Sequence, residues 1–334
     1  MQAAFFNAIG EPLSVRDTEL RAPTPDEVVV QVGRCGICGS DLHMTEDPAF
    51  GVEAGTVLGH EYAGEVVETG RGVSTLRPGD LVSVIPLRGC GECHNCRIGR
   101  PSWCSEMQLE GGGYAEYSVT EARQCIRLPY AISLADGALV EPLAVALHGL
   151  TQSRMTAGDR VLVLGAGPIG LATAFWARRM GAASVTVIDL NTCQAKRAYE
   201  MGATAFFGTG ERLEAPVPDD LGGTPDIVFE CVGKPGLIEQ AIGLVRPRGS
   251  VVVLGLCTMP DTFIPFEAVS KEVCIQTSAF FSVDEFRAAL DALDDGSATP
   301  RALVTETVSL TDVPQTFEAL RNRTHQCKVL IDPG

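Results

Sequence analysis

The segment Val161-Leu-Val-Leu-Gly165-Ala-Gly167-Pro168-Ile169-Gly170 constrains the fold most, because it demands a strand, a tight turn and a helix in that order. Four apolar residues without polar alternation suit a strand buried on both faces of a parallel sheet. The glycines follow as G-x-G-x-x-G, and Val185-Thr-Val-Ile-Asp189 places an acid 19 residues beyond Gly170, at the end of the next apolar run. Glycines alone would mark a tight turn in any α/β protein. With strand, helix and acid in register they describe a dinucleotide-binding unit. Gly165 makes the turn, Gly167 admits the pyrophosphate, Gly170 packs helix on strand, and the phosphate meets the helix N-terminus. Asp189 would accept hydrogen bonds from the adenosine ribose. A carboxylate there repels a 2′-phosphate, so NAD is expected over NADP.

The rest of the chain falls around this unit. Residues 1–140 hold short β-branched runs, at 28–32, 66–68 and 81–85, broken by turns such as Arg77-Pro78-Gly79-Asp80. From about residue 144 strands alternate with helices: strands at 161–164, 185–188, 227–229 and 251–254, helices at 169–180 and 237–245. That rhythm predicts a doubly wound parallel sheet. Helices are expected near 283–293 and 313–320, and strands near 303–308 and 328–331. A length of 334 residues suggests two domains.

Charge narrows the partners. Twenty-six basic against 42 acidic residues leave −16, without the basic footprint that nucleic acid or an anionic membrane requires. Residues 1–15 lack a basic leader, and the uncharged stretch 161–177 is interrupted by glycines and Pro168, so neither a signal peptide nor a membrane span is expected. A cytoplasmic chain follows. There, twelve cysteines point to metal or catalysis before disulfides.

Four of them, Cys90, Cys93, Cys96 and Cys104, stand as C-x2-C-x2-C-x7-C among Gly89, Gly91 and Gly99. Such spacing wraps one tetrahedral ion, and an all-sulfur set suits a closed structural zinc. Iron–sulfur ligation is disfavoured by the last gap and by the lack of a proline after Cys104. His94, inside the loop, is expected to be solvated. A sparser set comprises Cys35-Gly-Ile-Cys38-Gly-Ser40-Asp41-Leu-His43, Gly59-His60-Glu61 and Glu141-Pro142. By spacing alone these are equally a packed thiol, a core histidine and a helix-start carboxylate.

Taken in order, C-G-I-C-G-S-D-x-H, G-H-E-x-x-G, the four-cysteine lobe, E-P and V-L-G-A-G-P-I-G give the chain a close resemblance, over essentially its whole length, to the zinc-dependent medium-chain alcohol dehydrogenases of the sorbitol, threonine and butanediol branch. The resemblance implies an α/β fold with a GroES-like β-rich catalytic domain (1–143 and 278–334, zinc lobe 88–105) and an inserted Rossmann domain (144–277). It implies two zinc ions per chain. The catalytic one would be held by Cys38, His60 and a carboxylate, Glu61 or Glu141 or each in turn. Glutamate at 141, where many alcohol dehydrogenases carry cysteine, leans toward the polyol-like members. Cys35 has no ligand role. Zinc as a Lewis acid would lower the pKa of an alcohol, and hydride would pass to nicotinamide. Ser40 would relay the released proton toward His43, and Asp41 would support His60, although an N-cap role fits Asp41 equally. Val232 and Gly255, in Phe229-Glu-Cys231-Val-Gly233 and Leu254-Gly255, would meet the cofactor through backbone at strand ends. Gly111-Gly-Gly113-Tyr114 reads as a mobile loop without a catalytic role, and 291–295 as a solvated helix end.

The function implied is a reversible NAD- and zinc-dependent oxidation of a secondary alcohol, diol or polyol to a ketone. The alternatives are an aldehyde-directed or primary-alcohol enzyme of the same superfamily, a zinc-free quinone reductase relative, and a zinc-ribbon interaction protein. Substrate identity is not encoded legibly. Glu46, Asp47 and Glu53, in the 44–55 wall, either meet a second hydroxyl or face water, and a further wall is expected around Phe280. A homodimer or homotetramer is expected, with 262–265 and 273–277 as candidate edges. The seven cysteines without metal work read as packed thiols.

Overall fold

The computed structural model describes residues 1–210, 223–294 and 299–334. Two compact units emerge. One takes Met1–Glu141, the segment beginning at Ser282 and Val304–Gly334; the other takes Pro142–Phe281 and the turn leading to Leu303.

The first unit is built on a seven-stranded sheet. Along it run Val304–Ser309, Lys328–Asp332, Glu27–Gly36, Glu61–Thr69, Leu81–Val84 and Cys125–Arg127, while Tyr117–Glu121 also pairs with Glu27–Gly36. Glu27–Gly36 is its spine: Val28, Val30 and Val32 are fully buried among Val66, Val82 and Val329. Antiparallel register places Gly36 opposite Glu61 and Cys35 opposite Tyr62. This brings two motifs distant in sequence to one sheet end. A Cβ on Gly36 would lie 2.0 Å from a Glu61 carboxylate oxygen, so only glycine fits there.

The second unit is a parallel six-stranded sheet in the order Ala205–Gly208, Ser184–Asp189, Arg160–Leu164, Ile227–Glu230, Ser250–Val253, Cys274–Thr277. The order reverses between the third and fourth strands, and ligands bind such sheets at that reversal, outside the carboxyl ends. Val161, Leu162, Val163 and Leu164 are completely buried, as a doubly covered strand requires. The expected helices and the expected strands of the second unit lie within about two residues of their predicted bounds, whereas the strands expected at 28–32 and 66–68 run longer, as Glu27–Gly36 and Glu61–Thr69. Helices Ala195–Glu200 and Pro265–Lys271 and strand Ala205–Gly208 were not anticipated, and helix Val140–Gln152 only as the helix-start reading of Glu141.

Two expectations need correction. The 111–114 segment is not a mobile loop. Gly113 N–H donates to Gly59 O at 2.8 Å, Tyr114 N–H to Leu58 O at 3.1 Å, and Tyr114 is wholly buried. Its glycines serve close packing, since a Cβ on Gly113 would sit 2.5 Å from Cys35 Sγ. Nor are all seven remaining cysteines packed. Cys193 is exposed, because Asn191 caps the surface turn that carries it. The acidic stretch is a helix end as expected, with Asp291 and Asp294 exposed in the last turn of helix Val283–Asp294, and Asp295 lies outside the described residues.

Candidate metal centre and cofactor site

Cys38, His60 and Glu61 bring one donor atom each to within 4.8 Å of the others. Cys38 precedes the short helix Gly39–Met44, and His60 and Glu61 stand where the Glu61–Thr69 strand begins. Ser40, on that helix, points into the cluster: its hydroxyl lies 3.2 Å from Cys38 Sγ and 3.5 Å from His60 Nε2. Asp41 is 99% buried. Its Oδ1 lies 3.2 Å from His60 Nδ1 and its Oδ2 accepts the Cys38 N–H at 3.3 Å, so support of His60 and capping of the helix coexist in one carboxylate. Burial opposes charge on both groups, yet their attraction holds the His60 pKa well above, and the Asp41 pKa below, its ordinary value. His43 is half-buried on the same helix; no described hydrogen bond joins it to Ser40.

Two buried charges near the cluster set its electrostatics. Lys328 and Glu61 form an ion pair with side chains 2% and 0% exposed. Lys328 Nζ lies 2.6 Å from each carboxylate oxygen and 3.1 Å from Ile37 O. Lys328 was missed in the sequence, although a lysine opening the buried run Val329-Leu-Ile331 needs a partner and thereby signals one. Glu141, in the first turn of helix Val140–Gln152, is buried. Desolvation pushes its carboxyl up to about 7, with the His60 charge opposing and Glu61 reinforcing. Glu141 is not among the three residues whose donor atoms converge.

Sequence reasoning also missed Arg321. Its guanidinium donates to Leu42 O at 3.3 Å, Thr45 Oγ1 at 2.9 Å and Glu46 at 2.6 Å, tying down the end of the Gly39–Met44 helix. Glu46 is thus engaged, and Asp47 caps Ala49 N–H at 2.9 Å. Neither is an idle reader of substrate hydroxyls.

The four sulfurs of Cys90, Cys93, Cys96 and Cys104 also lie within 4.8 Å of one another, and none is in a disulfide. N–H groups of Cys90 and Glu106 hold the Cys104 thiol at about 7, whereas burial pushes Cys96 up to about 12. A Cβ on Gly89 would meet Cys96 Sγ at 2.5 Å, so the loop must be glycine to close around the sulfurs. His94 is exposed beside them. Four convergent, unpaired thiols fit a tetrahedral thiolate-binding ion.

In the second unit Gly165 has φ +97°, and its Cβ would strike Val232 at 2.7 Å. A Cβ on Gly170 would fall 1.9 Å from Gly165 O, whereas one on Gly167 meets nothing within 4 Å. Turn, helix packing and open approach are therefore divided among the three glycines, with Pro168 and Ile169 opening helix Pro168–Arg179. Asp189 accepts from Ala166 N–H at 2.7 Å and Asn191 N–H at 2.9 Å. Glu230, also missed, accepts from Val232 N–H at 2.7 Å and Gly233 N–H at 2.8 Å. A Cβ on Gly255 would lie 2.4 Å from its carboxylate, so glycine permits the close approach in which Gly255 N–H donates to Glu230 O at 2.9 Å. An acid closing the apolar run Ile227–Phe229 was its sequence signal.

Residues 24–130 match the family described as "Alcohol dehydrogenase GroES-like domain", and residues 168–295 match "Zinc-binding dehydrogenase". A probable D-xylulose reductase A of Aspergillus clavatus is 32% identical over 89% of this chain and 87% of its own length. The crystal structure of 2R,3R-butanediol dehydrogenase from Bacillus subtilis superposes with a TM-score of 0.88 at 30% identity, covering 100% of this chain and 99% of that one. A candidate zinc-binding dehydrogenase from Sinorhizobium meliloti 1021, solved with NADP, gives 0.90 at 31% identity over 99% of both chains. This chain belongs to the zinc-dependent medium-chain alcohol dehydrogenase superfamily, on its sorbitol and polyol side: an oxidoreductase acting on CH–OH groups with NAD(P).

Proposed function

We propose that the chain oxidises a secondary alcohol, diol or polyol to the ketone, with NAD as hydride acceptor and two zinc ions. The observation that carries this reading is the convergence of Cys38, His60 and Glu61 beside Ser40, with Glu141 buried and close enough for its carboxyl to feel the His60 charge. Cys38, His60 and Glu61 hold the catalytic ion, Glu141 is the carboxylate able to replace Glu61, and Cys90, Cys93, Cys96 and Cys104 hold the structural one. The catalytic ion supplies Lewis acidity toward the substrate hydroxyl. Ser40 takes the hydroxyl proton at Oγ and passes it toward His43 and solvent, and Asp41 keeps the His60 ring oriented. Likeness to a xylulose reductase and a butanediol dehydrogenase supports a vicinal diol or sugar alcohol over a primary alcohol or aldehyde.

Gly165, Gly167, Pro168, Ile169 and Gly170 receive the pyrophosphate, Val232 and Gly255 contact the cofactor through backbone, and Asp189 takes the adenosine ribose. The S. meliloti protein binds NADP. Here the Asp189 carboxylate opposes a 2′-phosphate and favours NAD. Residues 1–143 and 278–334 serve as catalytic domain and 144–277 as cofactor domain.

A second copy is the proposed partner. Cys274–Thr277 is the edge of the parallel sheet, and Ile264, Phe266 and Val269, in the segment that leads into it, are 57%, 75% and 71% exposed. Such a patch on a sheet edge calls for cover. A cytoplasmic site suits the reduced cysteines, and among the described residues no helix is long and apolar enough to cross a membrane.

Metal analysis with an NADH-release screen over diols and polyols tests the reading. Two zinc per chain and turnover of a secondary alcohol are expected, and Cys38→Ala abolishes turnover while NAD binding persists. One zinc per chain, or full activity of that variant, refutes it.

A further inference from the structure

Tyr114 belongs to none of the chemical motifs, yet its hydroxyl ends beside the metal centre. The ring is completely buried, and the Oη donates to Asp41 Oδ2 at 2.6 Å. That length is typical of O–H donation to an ionised acceptor. The same carboxylate meets Cys38 through its backbone N–H at 3.3 Å and His60 through Nδ1 at 3.2 Å. We propose that Tyr114 is a positioning residue for the catalytic metal: its phenol fixes Asp41, and Asp41 fixes the ring of His60 and the backbone of Cys38. This rests on the reading of Cys38, His60 and Glu61 as metal ligands.

The ring acts on His60 from a second direction. Gly59, which precedes it, has φ +87°, and the space its Cβ would occupy is filled by Tyr114 Cδ1 at 2.3 Å. Tyr114 also packs edge-on against Phe317, with centroids 6.4 Å apart, so the phenol has little freedom to turn away. A buried hydroxyl costs free energy unless it is bonded, and here its bond is to the metal support. Without it, Asp41 Oδ2 would keep only the long bond from Cys38, and the tilt of the imidazole would be less defined. Tyr62 supplies the comparison. It too is buried in this core, but its hydroxyl lies 3.1 Å from Ser118 Oγ and does not touch Asp41.

The test is zinc release from the intact protein to an excess of a chromogenic chelator, for wild type, Tyr114→Phe, Tyr62→Phe, Asp41→Asn and the Tyr114→Phe/Asp41→Asn double variant. Tyr114→Phe should release one of its two zinc ions ~10–100-fold faster, the range for loss of a group behind a ligand. Tyr62→Phe should match wild type, and Tyr114→Phe should add less than about twofold in the Asp41→Asn background. The visible spectrum of the cobalt-loaded protein should shift in Tyr114→Phe and Asp41→Asn and stay as wild type in Tyr62→Phe. Two zinc ions with unchanged release, or equal acceleration in both backgrounds, overturns the positioning role alone. A wild-type chain with a single zinc overturns the metal reading and the positioning role with it.

Discussion

Replacing Lys328 with methionine should separate the cost of a buried charge from the reach of the metal. Lys328 contacts both oxygens of Glu61 at 2.6 Å, and neither side chain is more than 2% exposed. Methionine fills most of the volume, so the change is chiefly electrostatic. Glu61 is then a buried carboxylate without its cation, and breaking such a pair costs about 3–5 kcal/mol. Against a total stability of about 5–15 kcal/mol, that is a large fraction. In the Glu61→Gln/Lys328→Met double variant no charge is stranded, and most of the loss should return. Zinc changes the sum. If Glu61 is a ligand, the bound cation compensates it, and the cost in the loaded protein should fall below about 2 kcal/mol. By linkage, zinc then binds at least ~5-fold tighter in Lys328→Met than in wild type, since each 1.4 kcal/mol is tenfold. Urea unfolding of stripped and loaded protein measures both. Equal losses with and without zinc would refute Glu61 as a ligand. A double variant no more stable than Lys328→Met would refute the charge argument.

Other changes should act as follows. Gly170→Ala places a Cβ 1.9 Å from Gly165 O and should cost about 2–4 kcal/mol in thermal unfolding, whereas Gly167→Ala, with open space, should leave stability unchanged and weaken NADH binding measured by fluorescence. Asp189→Ser should raise kcat/KM for NADP relative to NAD by ~10-fold or more, read from paired kinetics. Arg321→Met should loosen the Gly39–Met44 helix and lower stability by about 1–3 kcal/mol, because Leu42 O and Glu46 lose a charged donor. Glu27 has its carboxyl held at about 2 by the Arg21 guanidinium. Its stabilisation should be complete above the ordinary carboxylate range and vanish as pH falls toward 2, so acid unfolding of Glu27→Gln should converge with wild type at low pH.

What could be read in the sequence shares one property: the ligand set lies within a few residues. Cys90 to Cys104 and Gly165 to Gly170 fix their geometry by local turns, so spacing alone implies the shape. Cys38 and His60 are intermediate. Each is ambiguous by itself, and they meet only because strand Glu27–Gly36 pairs antiparallel with Glu61–Thr69, setting Gly36 against Glu61. Register of that kind follows from the whole buried pattern and not from either motif, which is why family likeness had to supply the ligand set before the structure brought the atoms together.

The residues that escaped notice lie behind those ligands, and distance in sequence explains them. Lys328 is 267 residues from Glu61, Arg321 is 279 from Leu42, and Tyr114 is 73 from Asp41. No period or spacing links such pairs, since the fold alone makes them neighbours. Each nevertheless violates a local rule: a lysine in a buried strand, an arginine turned inward, a phenol with no water in reach. A buried polar group must find a partner or be lost to selection for stability. Such violations therefore mark the supports of a site even where they cannot say which site. In this chain Lys328 and Tyr114 converge, by way of Glu61 and Asp41, on the same few ångströms around His60. That convergence makes opposite predictions for zinc, tighter on loss of Lys328 and looser on loss of the Tyr114 hydroxyl. A generally destabilised core would move both the same way.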